Sequence, residues 1–375
     1  MIHIGLNAHL LSSQIGYRSA GIHNVIHQLL AHLPQVAPDD WHFTAMVGSK
    51  NQATYPNMSM KHAALDTESP TKRIIWEQGI QPFQLADYDL YHAMAFVAPL
   101  FLHKPMVVTV YDLTFMRYPQ RLSSARRLYL RMFTEITCKR AKRITAISHS
   151  TKQDLVDLLN IPAEKIDVTH LAYDRDTIRP LAAETIVAFK QQKGLPDRFW
   201  FYLGTLEPRK NLVMLINAYA KLPENERLPL VLAGGKGWMT DAIFEAVERH
   251  GLGDKISFTG FIPTAEMALW YNSAEVFVYP SLFEGFGLPI LEAMACGTPV
   301  ITSNVSSLPE VAEGAGLCLP PHEVSLWADA LQRTYHDATW REEASEKGLH
   351  KAQQFDWANT AQATVNSYRR ALEIT

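Results

Sequence analysis

The sequence is short of cysteine, of long apolar runs and of excess charge of either sign. Its 375 residues include three cysteines, Cys138, Cys296 and Cys318, which are widely spaced and odd in number. This pattern excludes a disulfide framework and a cysteine-based zinc site, and it indicates a reducing compartment. The formal net charge is −3, so no global basic field indicates a nucleic-acid partner.

Membrane and targeting signals are also lacking. No apolar run reaches the length of a transmembrane helix, and the N-terminal segment has no basic leader, so we expect a cytoplasmic protein. The composition is that of a globular protein, with 47% apolar and 19% charged residues and no low-complexity tracts. A chain of this length can bury a large core, and we expect two domains.

The stretch 274–302 has the strongest local pattern. Two short apolar and β-branched runs within it, 275–279 and 300–302, predict buried strands. Pro289 occupies a first helical position and Gly297 a stop position, so a helix of about two turns is predicted between them. The unit is therefore a strand, a glycine-bearing loop, a helix and a strand.

This unit carries two carboxylates. Glu284 lies in the loop, whereas Glu292 is the one charge of an otherwise apolar helix and must be paired, bound or placed at a pocket mouth. Gly285 and Gly287 allow close approach of the backbone, and the N–H groups of the helix start favour an anion or a polyhydroxylated group. We interpret the unit as a nucleotide-sugar site. The alternative is a capping role for Glu284 and a solvated position for Glu292.

A second motif, YLGTLEPRKNL at 202–212, joins a predicted strand at 199–203 to a helical pattern. Arg209 and Lys210 thereby stand at a helix start, where two positive charges beside backbone donors are typical of a pyrophosphate site. Adjacent basic residues in a loop can also be merely solvated, so the motif alone leaves both interpretations open.

In the first half of the chain, candidate residues follow predicted strands. These strands are expected at 1–6, 41–47, 90–91, 106–111 and 144–147. His92 follows the third, at the carboxyl end where open α/β sheets bind ligands, although a lone histidine is more often structural. A glycine-bearing loop at 12–21 leads into a helix, so Gly21 is either a ligand contact or part of an ordinary turn.

Together these motifs resemble the retaining glycosyltransferases of the GT-B fold, in particular the large family of bacterial mannosyl- and glucosyltransferases. The resemblance covers nearly the whole chain, and its most specific segments are YLGTLEPRKNL, GFIP at 260–263, EGFGLPILEAMACGTPV at 284–300 and FDWANTA at 355–361. It implies two Rossmann-like, doubly wound α/β domains facing a cleft. The acceptor domain would span 1–174 and be completed by a C-terminal helix at 356–375, and the nucleotide-sugar domain would span 198–355.

The resemblance also implies roles for individual residues. Glu284 would bind hydroxyls of the transferred sugar and Glu292 those of the ribose. Arg209 and Lys210 would stabilise the departing diphosphate together with the amides of 286–288, and His92 completes the catalytic candidates. The remaining donor-contact candidates are Gly21, Gly204, Gly235, Phe261, Ile262, Phe286, Gly287 and Leu288. No side chain is an evident covalent nucleophile, so we expect retention through same-face attack.

The expected partners are a nucleotide diphosphate sugar, of the UDP-glucose or GDP-mannose type, and a saccharide or lipid-linked acceptor in cell-surface polysaccharide synthesis. The nucleotide sugar is a substrate, and we expect no cofactor, no metal and no nucleic acid. Two positions depart from the family pattern. Tyr111 stands where relatives often have a histidine, and Thr205 where many have an arginine, so both roles are in doubt.

A basic segment leaves a membrane partner open. Residues 104–152 hold eleven Lys or Arg against two acids. A predicted helix within it sets three apolar residues on one face beside two arginines: Leu128, Met132 and Ile136, with Arg127 and Arg131. Such a helix can lie on an anionic inner-membrane surface. It can also pack its apolar side on its own sheet, which we favour because that side is narrow and lacks tryptophan.

Other function classes fit parts of the pattern. A glycoside hydrolase also uses paired carboxylates, but it has no need of the basic pair Arg209 and Lys210. A non-catalytic nucleotide-sugar-binding protein, or another GT-B enzyme such as a sugar epimerase, would share the fold. Because both glutamates and both basic residues are present, we expect a catalyst.

Overall fold

The computed structural model describes residues 1–11, 21–119 and 124–374. The chain divides into two compact units, one formed by Met1–Leu171 with Asp356–Thr375 and the other by Ala172–Phe355. The sequence leaves a boundary segment, 175–197, between the two expected domains. It belongs to the second unit and contains a helix, Ala183–Lys193, whose Phe189 ring packs edge-on against Trp270 with centroids 5.5 Å apart.

In the described residues, the first unit is built on a seven-stranded parallel sheet of order β3-β2-β1-β4-β5-β6-β7. Its strands are β1 (Ile2–Asn7), β2 (Trp41–Val47), β3 (Met58–His62), β4 (Leu90–Ala93), β5 (Met106–Val110), β6 (Arg143–Ala146) and β7 (Ile166–Val168). Strand β5, MVVTV, is buried along its whole length, as expected for a strand covered on both faces. The strand order reverses between β1 and β4, where Asn7 pairs with Ala93.

The second unit has a six-stranded parallel sheet of order β10-β9-β8-β11-β12-β13 in its described part. Its strands are β8 (Trp200–Leu203), β9 (Leu230–Ala233), β10 (Ile256–Gly260), β11 (Val276–Tyr279), β12 (Val300–Ser303) and β13 (Leu317–Leu319). Here the order reverses between β8 and β11. These two strands also form the aromatic centre of the core, since the rings of Tyr202 and Tyr279 stack with centroids 5.8 Å apart.

Helices connect the strands in both units. Numbered along the chain, they are α1 (Ile22–Val36), α2 (Pro70–Ile75), α3 (Thr114–Arg117), α4 (Ser124–Arg140), α5 (His149–Leu159), α6 (Ala183–Lys193), α7 (Leu212–Ala220), α8 (Asp241–Arg249), α9 (Met267–Ser273), α10 (Leu288–Ala295), α11 (Leu308–Ala312), α12 (Val324–His336), α13 (Ala338–Ala352) and α14 (Trp357–Leu372). A π-helical turn, Trp76–Ile80, directly follows α2.

The last helix returns to the first unit. The Asp356 carboxylate caps α14 by accepting a hydrogen bond from the Ala358 N–H at 2.7 Å, and the helix packs on α1 and β6. Its buried side includes Trp357, Ala361 and Tyr368, the three residues that the helical periodicity of the sequence places in register. The first unit is therefore discontinuous in sequence.

Candidate active site of the second unit

Two glycines bring the carboxyl ends of β8 and β9 into direct contact. Gly234, after β9, has a φ of +138°, and a Cβ at this position would lie 1.9 Å from the carbonyl oxygen of Gly204. A Cβ at Gly204 would in turn lie 2.6 Å from the Tyr202 hydroxyl oxygen. Only glycine fits such close approaches. The loop that leaves β8 is thus held tightly at the switch point of the sheet, where ligands bind in open α/β folds.

That loop presents Arg209 and Lys210 to the loop that follows β11. A single turn, Pro208–Lys210, precedes α7, and the Leu282 N–H donates to the Arg209 carbonyl at 2.9 Å. Lys210 Nζ donates to Glu284 Oε1 at 2.5 Å and to the Tyr279 hydroxyl at 2.6 Å. The basic pair and the loop glutamate, 74 residues apart in sequence, therefore form one cluster.

Arg209 lies between two carboxylates. Its guanidinium is 2.8 Å from Glu284 Oε2 and 2.8 Å from Glu207 Oε1, and it also donates to the Phe283 carbonyl. The side chains of Arg209 and Glu284 are 11% and 13% exposed, so the network is screened from most solvent. The network therefore joins two basic side chains, Arg209 and Lys210, to two acidic ones, Glu207 and Glu284.

The electrostatics of the cluster follow from burial and pairing. Burial alone would raise the pKa of Glu284, but Arg209 and Lys210 lower it to about 2. Burial lowers the pKa of Lys210 to about 8, although Glu284 opposes this shift. Both groups are ionised at neutral pH, and Lys210 is the member closest to losing its charge.

Glu292 has a different environment. It lies on α10 and accepts a hydrogen bond from the Tyr271 hydroxyl through Oε2 at 2.9 Å. Burial raises the pKa of Glu292 to about 7, while the bond from Tyr271 partly opposes the shift. Its Oε1 accepts no hydrogen bond from any residue that the structure describes, which leaves this atom available to a ligand.

The start of α10 supplies backbone donors beside these carboxylates. Gly287 caps the helix with a φ of +112°, and a Cβ there would lie 3.1 Å from Leu308. Within the described part of the chain, the N–H groups of Gly287 and Leu288 donate to no other group. Such unpaired donors at a helix N-terminus favour an anion.

Comparison with known proteins places this site in a family. Residues 184–351 match the model "Glycosyl transferases group 1", and residues 69–177 match "Glycosyltransferase Family 4". The chain is 37% identical over 293 residues to O-antigen chain mannosyltransferase B of Escherichia coli, with 77% of each protein covered. The chain belongs to the group 1 glycosyltransferases. It is therefore an enzyme of the glycosyltransferase class.

Two further similarities fit this assignment. The serotype-specific mannosyltransferase WbdA of Escherichia coli is 34% identical over 253 residues, which are 66% of this chain and 31% of that longer protein. Sucrose-phosphate synthase from Thermosynechococcus elongatus superposes with a TM-score of 0.79 at 22% identity, with 98% of both chains covered. The fold of this glycosyltransferase is GT-B, as the sequence predicts.

Two of the expected donor-contact residues line a cavity that the charged cluster does not line. Phe261 and Ile262 follow β10, where Gly260 has a φ of +74°. They line a cavity of about 620 Å³ together with Trp270 and other residues of the β10 edge. Arg209, Lys210, Glu284 and Glu292 are not among its lining residues. Gly235, after β9, has open space where a Cβ would point.

In the first unit, His92 is a structural residue of the glycosyltransferase core. It is 0% exposed, its Nδ1 is 2.6 Å from the Tyr368 hydroxyl, and its Nε2 is 2.8 Å from Thr109 Oγ1. With both ring nitrogens occupied and no exposed surface, it cannot touch a substrate, so the catalytic assignment of His92 is withdrawn. Tyr111 is similarly buried, and its hydroxyl donates to the Met94 carbonyl at 2.9 Å.

Gly21 is the N-cap of α1, is exposed, and has a φ of +80°. Its conformation fits the predicted turn into a helix. The rest of the predicted contact loop, residues 12–20, lies outside the described residues, so the structure leaves the ligand-contact prediction for Gly21 untested.

The structure contradicts the expectation that the apolar side of helix α4 packs on its own sheet. Leu128 and Met132 are 64% and 45% exposed, and the side that packs inward is formed instead by Thr134, Thr137 and Cys138. The two apolar residues therefore face outward beside exposed arginines. None of the helices within the described residues combines the length and the apolar character needed to cross a bilayer.

Several residues that hold the site carried no recognisable sequence signal. Tyr279 and Tyr271 look like core aromatics in a single sequence, yet their hydroxyls bond Glu284 and Glu292. Ser307 donates to the carbonyls of Glu284 and Phe286 at 2.9 and 2.8 Å, and Ser306 accepts the Glu284 N–H at 3.0 Å. In the sequence these serines precede a Leu-Pro pair, and serine before such a pair is common at helix starts.

Proposed function

We propose that this glycosyltransferase is a retaining mannosyltransferase that moves mannose from a nucleoside diphosphate sugar to a saccharide acceptor in polysaccharide synthesis. The mannosyl part is supported by the similarity to two proteins named as mannosyltransferases. The transfer chemistry is supported by the ion cluster of Arg209, Lys210 and Glu284 at the switch point of the second sheet.

The donor's diphosphate competes with Glu284 for the two cations. Arg209 keeps Glu207 as a second partner, so it stays charged and oriented when Glu284 moves away. The unpaired N–H groups of Gly287 and Leu288 add donors for the phosphate oxygens. Glu284, released from at least one ion pair, then accepts hydrogen bonds from hydroxyls of the sugar, and Glu292 accepts those of the ribose through Oε1.

Bond cleavage places negative charge on the leaving diphosphate, and Arg209 and Lys210 stabilise that charge. The bond between the sugar C1 and the phosphate oxygen breaks while the acceptor oxygen bonds C1 on the same face, and the acceptor's proton passes to the phosphate oxygen. Glu284 forms no covalent bond in this scheme, because its carboxylate accepts hydrogen bonds from the sugar hydroxyls. The nucleotide sugar is a substrate in this scheme, which assigns no step to a cofactor or a metal.

Donor and stereochemistry can be tested together. The enzyme is incubated with GDP-mannose, UDP-glucose or ADP-glucose and with mannose oligosaccharides as acceptors, and released nucleoside diphosphate is measured. The anomeric configuration of the product is then read by NMR. We expect an α-linked product from GDP-mannose, whose own mannose is α-linked. Inversion of configuration, or turnover with a glucose donor in preference to the mannose donor, would refute the corresponding part of the proposal.

We also propose peripheral contact with an anionic membrane that carries a lipid-linked acceptor. The α4 surface, defined as Leu128 and Met132 with Arg126, Arg127 and Arg131, is exposed. It pairs apolar side chains, which can enter the headgroup region, with cations that attract anionic lipid.

Vesicle co-sedimentation tests this contact. Binding to vesicles containing phosphatidylglycerol should fall steeply between about 0.05 and 0.3 M salt. It should also fall in the Leu128→Ser and Met132→Ser double variant. Leu326→Ser on α12, which removes another exposed leucine, serves as the control. Absence of wild-type binding at low salt, or an equal loss in the control, would eliminate the α4 surface.

A further inference from the structure

A buried carboxylate in the first unit has no role in the donor chemistry. Glu77 lies in the π-helical turn Trp76–Ile80, and π-helical turns occur frequently at functional sites. Its Oε1 accepts a hydrogen bond from Asn7 Nδ2 at 3.0 Å. Asn7 is the last residue of β1 and pairs with Ala93 of β4. Glu77 is therefore anchored at the switch point of the first sheet, the position where such sheets bind ligands.

The carboxyl group is only half satisfied. Apart from the bond from Asn7, it accepts no hydrogen bond and forms no ion pair with the residues that the structure describes. Burial raises the pKa of Glu77 to about 7, although Arg73 and the bond from Asn7 oppose the shift. A buried carboxyl without full hydrogen bonding is costly for the fold, so its second oxygen fits a ligand that donates hydrogen bonds.

The groups around Glu77 match a hydroxylated ligand. Arg73, four residues earlier, is only partly buried, and its guanidinium has no hydrogen-bonding or ion-pair partner within the described parts of the chain. His9 follows β1 and is 3% exposed, and its Nε2 has no hydrogen-bond partner among the residues that the structure describes. Burial and then Arg73 lower the pKa of His9 to about 4, so the ring is neutral. A single carboxylate with a neutral imidazole is a poor metal site.

The turn that carries Glu77 is held rigidly. Gln78 Nε2 donates to the Ala98 carbonyl at 3.3 Å, and Gln78 Oε1 accepts the Leu100 N–H at 3.0 Å. Burial and then the charge of Glu77 raise the pKa of the Tyr129 phenol, on α4, to about 12. Rigid support of a donor and acceptor set is what a binding site requires.

We infer that Asn7, Arg73 and Glu77 form a subsite of the first unit that binds vicinal hydroxyls of the acceptor saccharide. This inference rests on the proposed function for the identity of its ligand. Glu77 accepts a hydrogen bond from one hydroxyl, and Arg73 donates to the oxygen of its neighbour.

Measuring the acceptor KM and the nucleoside diphosphate affinity in the same variants distinguishes acceptor binding from a merely structural role. Arg73→Gln and Glu77→Gln are compared with Lys72→Gln, an exposed neighbour. We expect the KM for a mannose oligosaccharide to rise about ten- to a hundredfold in the first two variants, as for loss of a hydrogen bond to a charged group. The affinity for free nucleoside diphosphate, measured by calorimetry, should stay within about twofold of wild type in all three.

Arg73→Gln keeps the test decisive if Glu77→Gln fails to fold, since Arg73 is partly exposed. An unchanged acceptor KM in folded Arg73→Gln, or an equal rise in Lys72→Gln, would overturn the subsite. Direct titration of the wild-type enzyme with mannobiose, followed by ligand-observed NMR, gives an independent reading. A protein that consumes nucleotide sugar but loses no mannobiose affinity in the variants would refute only the subsite, whereas a protein that consumes none would refute the proposed function.

Discussion

Replacing Glu284 with Gln tests the central cluster most directly. The change keeps the size of the side chain but removes the charge that pairs with Arg209 and Lys210. The folded-state pKa of Glu284, about 2 against an ordinary value of 4.5, corresponds to roughly 3 kcal/mol of stability. Because the folded pKa is the lower one, this stability is present above about pH 4.5 and is lost as the pH falls towards 2.

Stability and catalysis should respond in different ways to this substitution. At pH 7 the variant should lose up to about 3 kcal/mol of unfolding free energy, and the difference from wild type should shrink as the pH falls below 4.5. The affinity for free nucleoside diphosphate should be unchanged or increased, because the ligand no longer displaces a carboxylate. Single-turnover transfer should fall by on the order of 10²–10³, the usual loss for a transition-state contact.

Glu275→Gln provides the matched control. Glu275 directly precedes β11, whereas Glu284 lies in the loop after it, and Glu275 is comparably buried and pairs with Arg198 at 2.5 Å. Its substitution should reduce stability and leave transfer intact. Wild-type transfer rates in Glu284→Gln, or weakened diphosphate binding with normal transfer, would show that Glu284 has another role.

Three further substitutions probe the same unit. Lys210→Ala should weaken nucleoside diphosphate binding and transfer together, by about 1.5–3 kcal/mol, whereas Lys190→Ala should not; unchanged affinity in calorimetry would remove Lys210 from the diphosphate site. In the wild type, nucleoside diphosphate affinity should rise between about pH 6 and 8, because ionisation of Glu292 at its pKa of about 7 creates the acceptor for the ribose, and Glu292→Gln should abolish this rise. The affinity of the variant is divided by that of the wild type at each pH, which cancels the ionisation of the ligand itself. A ratio that does not vary with pH contradicts the role. Gly234→Ala should lower the free energy of unfolding, measured by chemical denaturation, by at least about 2 kcal/mol because its Cβ would clash with the Gly204 carbonyl. Gly235→Ala should lower it by less than about 0.5 kcal/mol. Equal effects would mean that the loop can rearrange.

The fold was predictable where strands are buried on both faces. The predicted runs 106–111 and 275–279 are mainly apolar, and the structure has fully buried strands there, Met106–Val110 and Val276–Tyr279. The strands that sequence reasoning missed are β3, β7 and β13. Two of them have only three residues, and β3, an edge strand, reads MSMKH with partly exposed side chains. Such strands form because a neighbouring strand offers hydrogen bonds, and the local sequence does not show which strand will be the neighbour.

The members of the charged cluster could be recognised in the sequence, but their contacts with one another could not. Arg209 and Lys210 were recognised from local charge at a helix start, and Glu284 from its glycine-bearing loop. Their contact depends on β8 lying next to β11 in the sheet, a topological fact that local patterns do not contain. His92 was expected to follow a strand but lies within β4. Its hydrogen bond to Tyr368 of α14, 276 residues away in sequence, left no local signal.

The pairing explains why so much charge is tolerated at the end of a buried strand. Removing one partner of a buried ion pair destabilises the fold, but replacing the whole pair with apolar residues is often neutral, because desolvation offsets most of the attraction. The cluster is asymmetric, because Arg209 has two carboxylate partners and Lys210 has one beside a phenol. A diphosphate can therefore take the place of Glu284 without stranding Arg209, whose bond to Glu207 remains. Glu284 would then reach the sugar only when the donor is bound. This coupling of donor binding to the geometry of the site explains why Arg209 and Lys210 are both present.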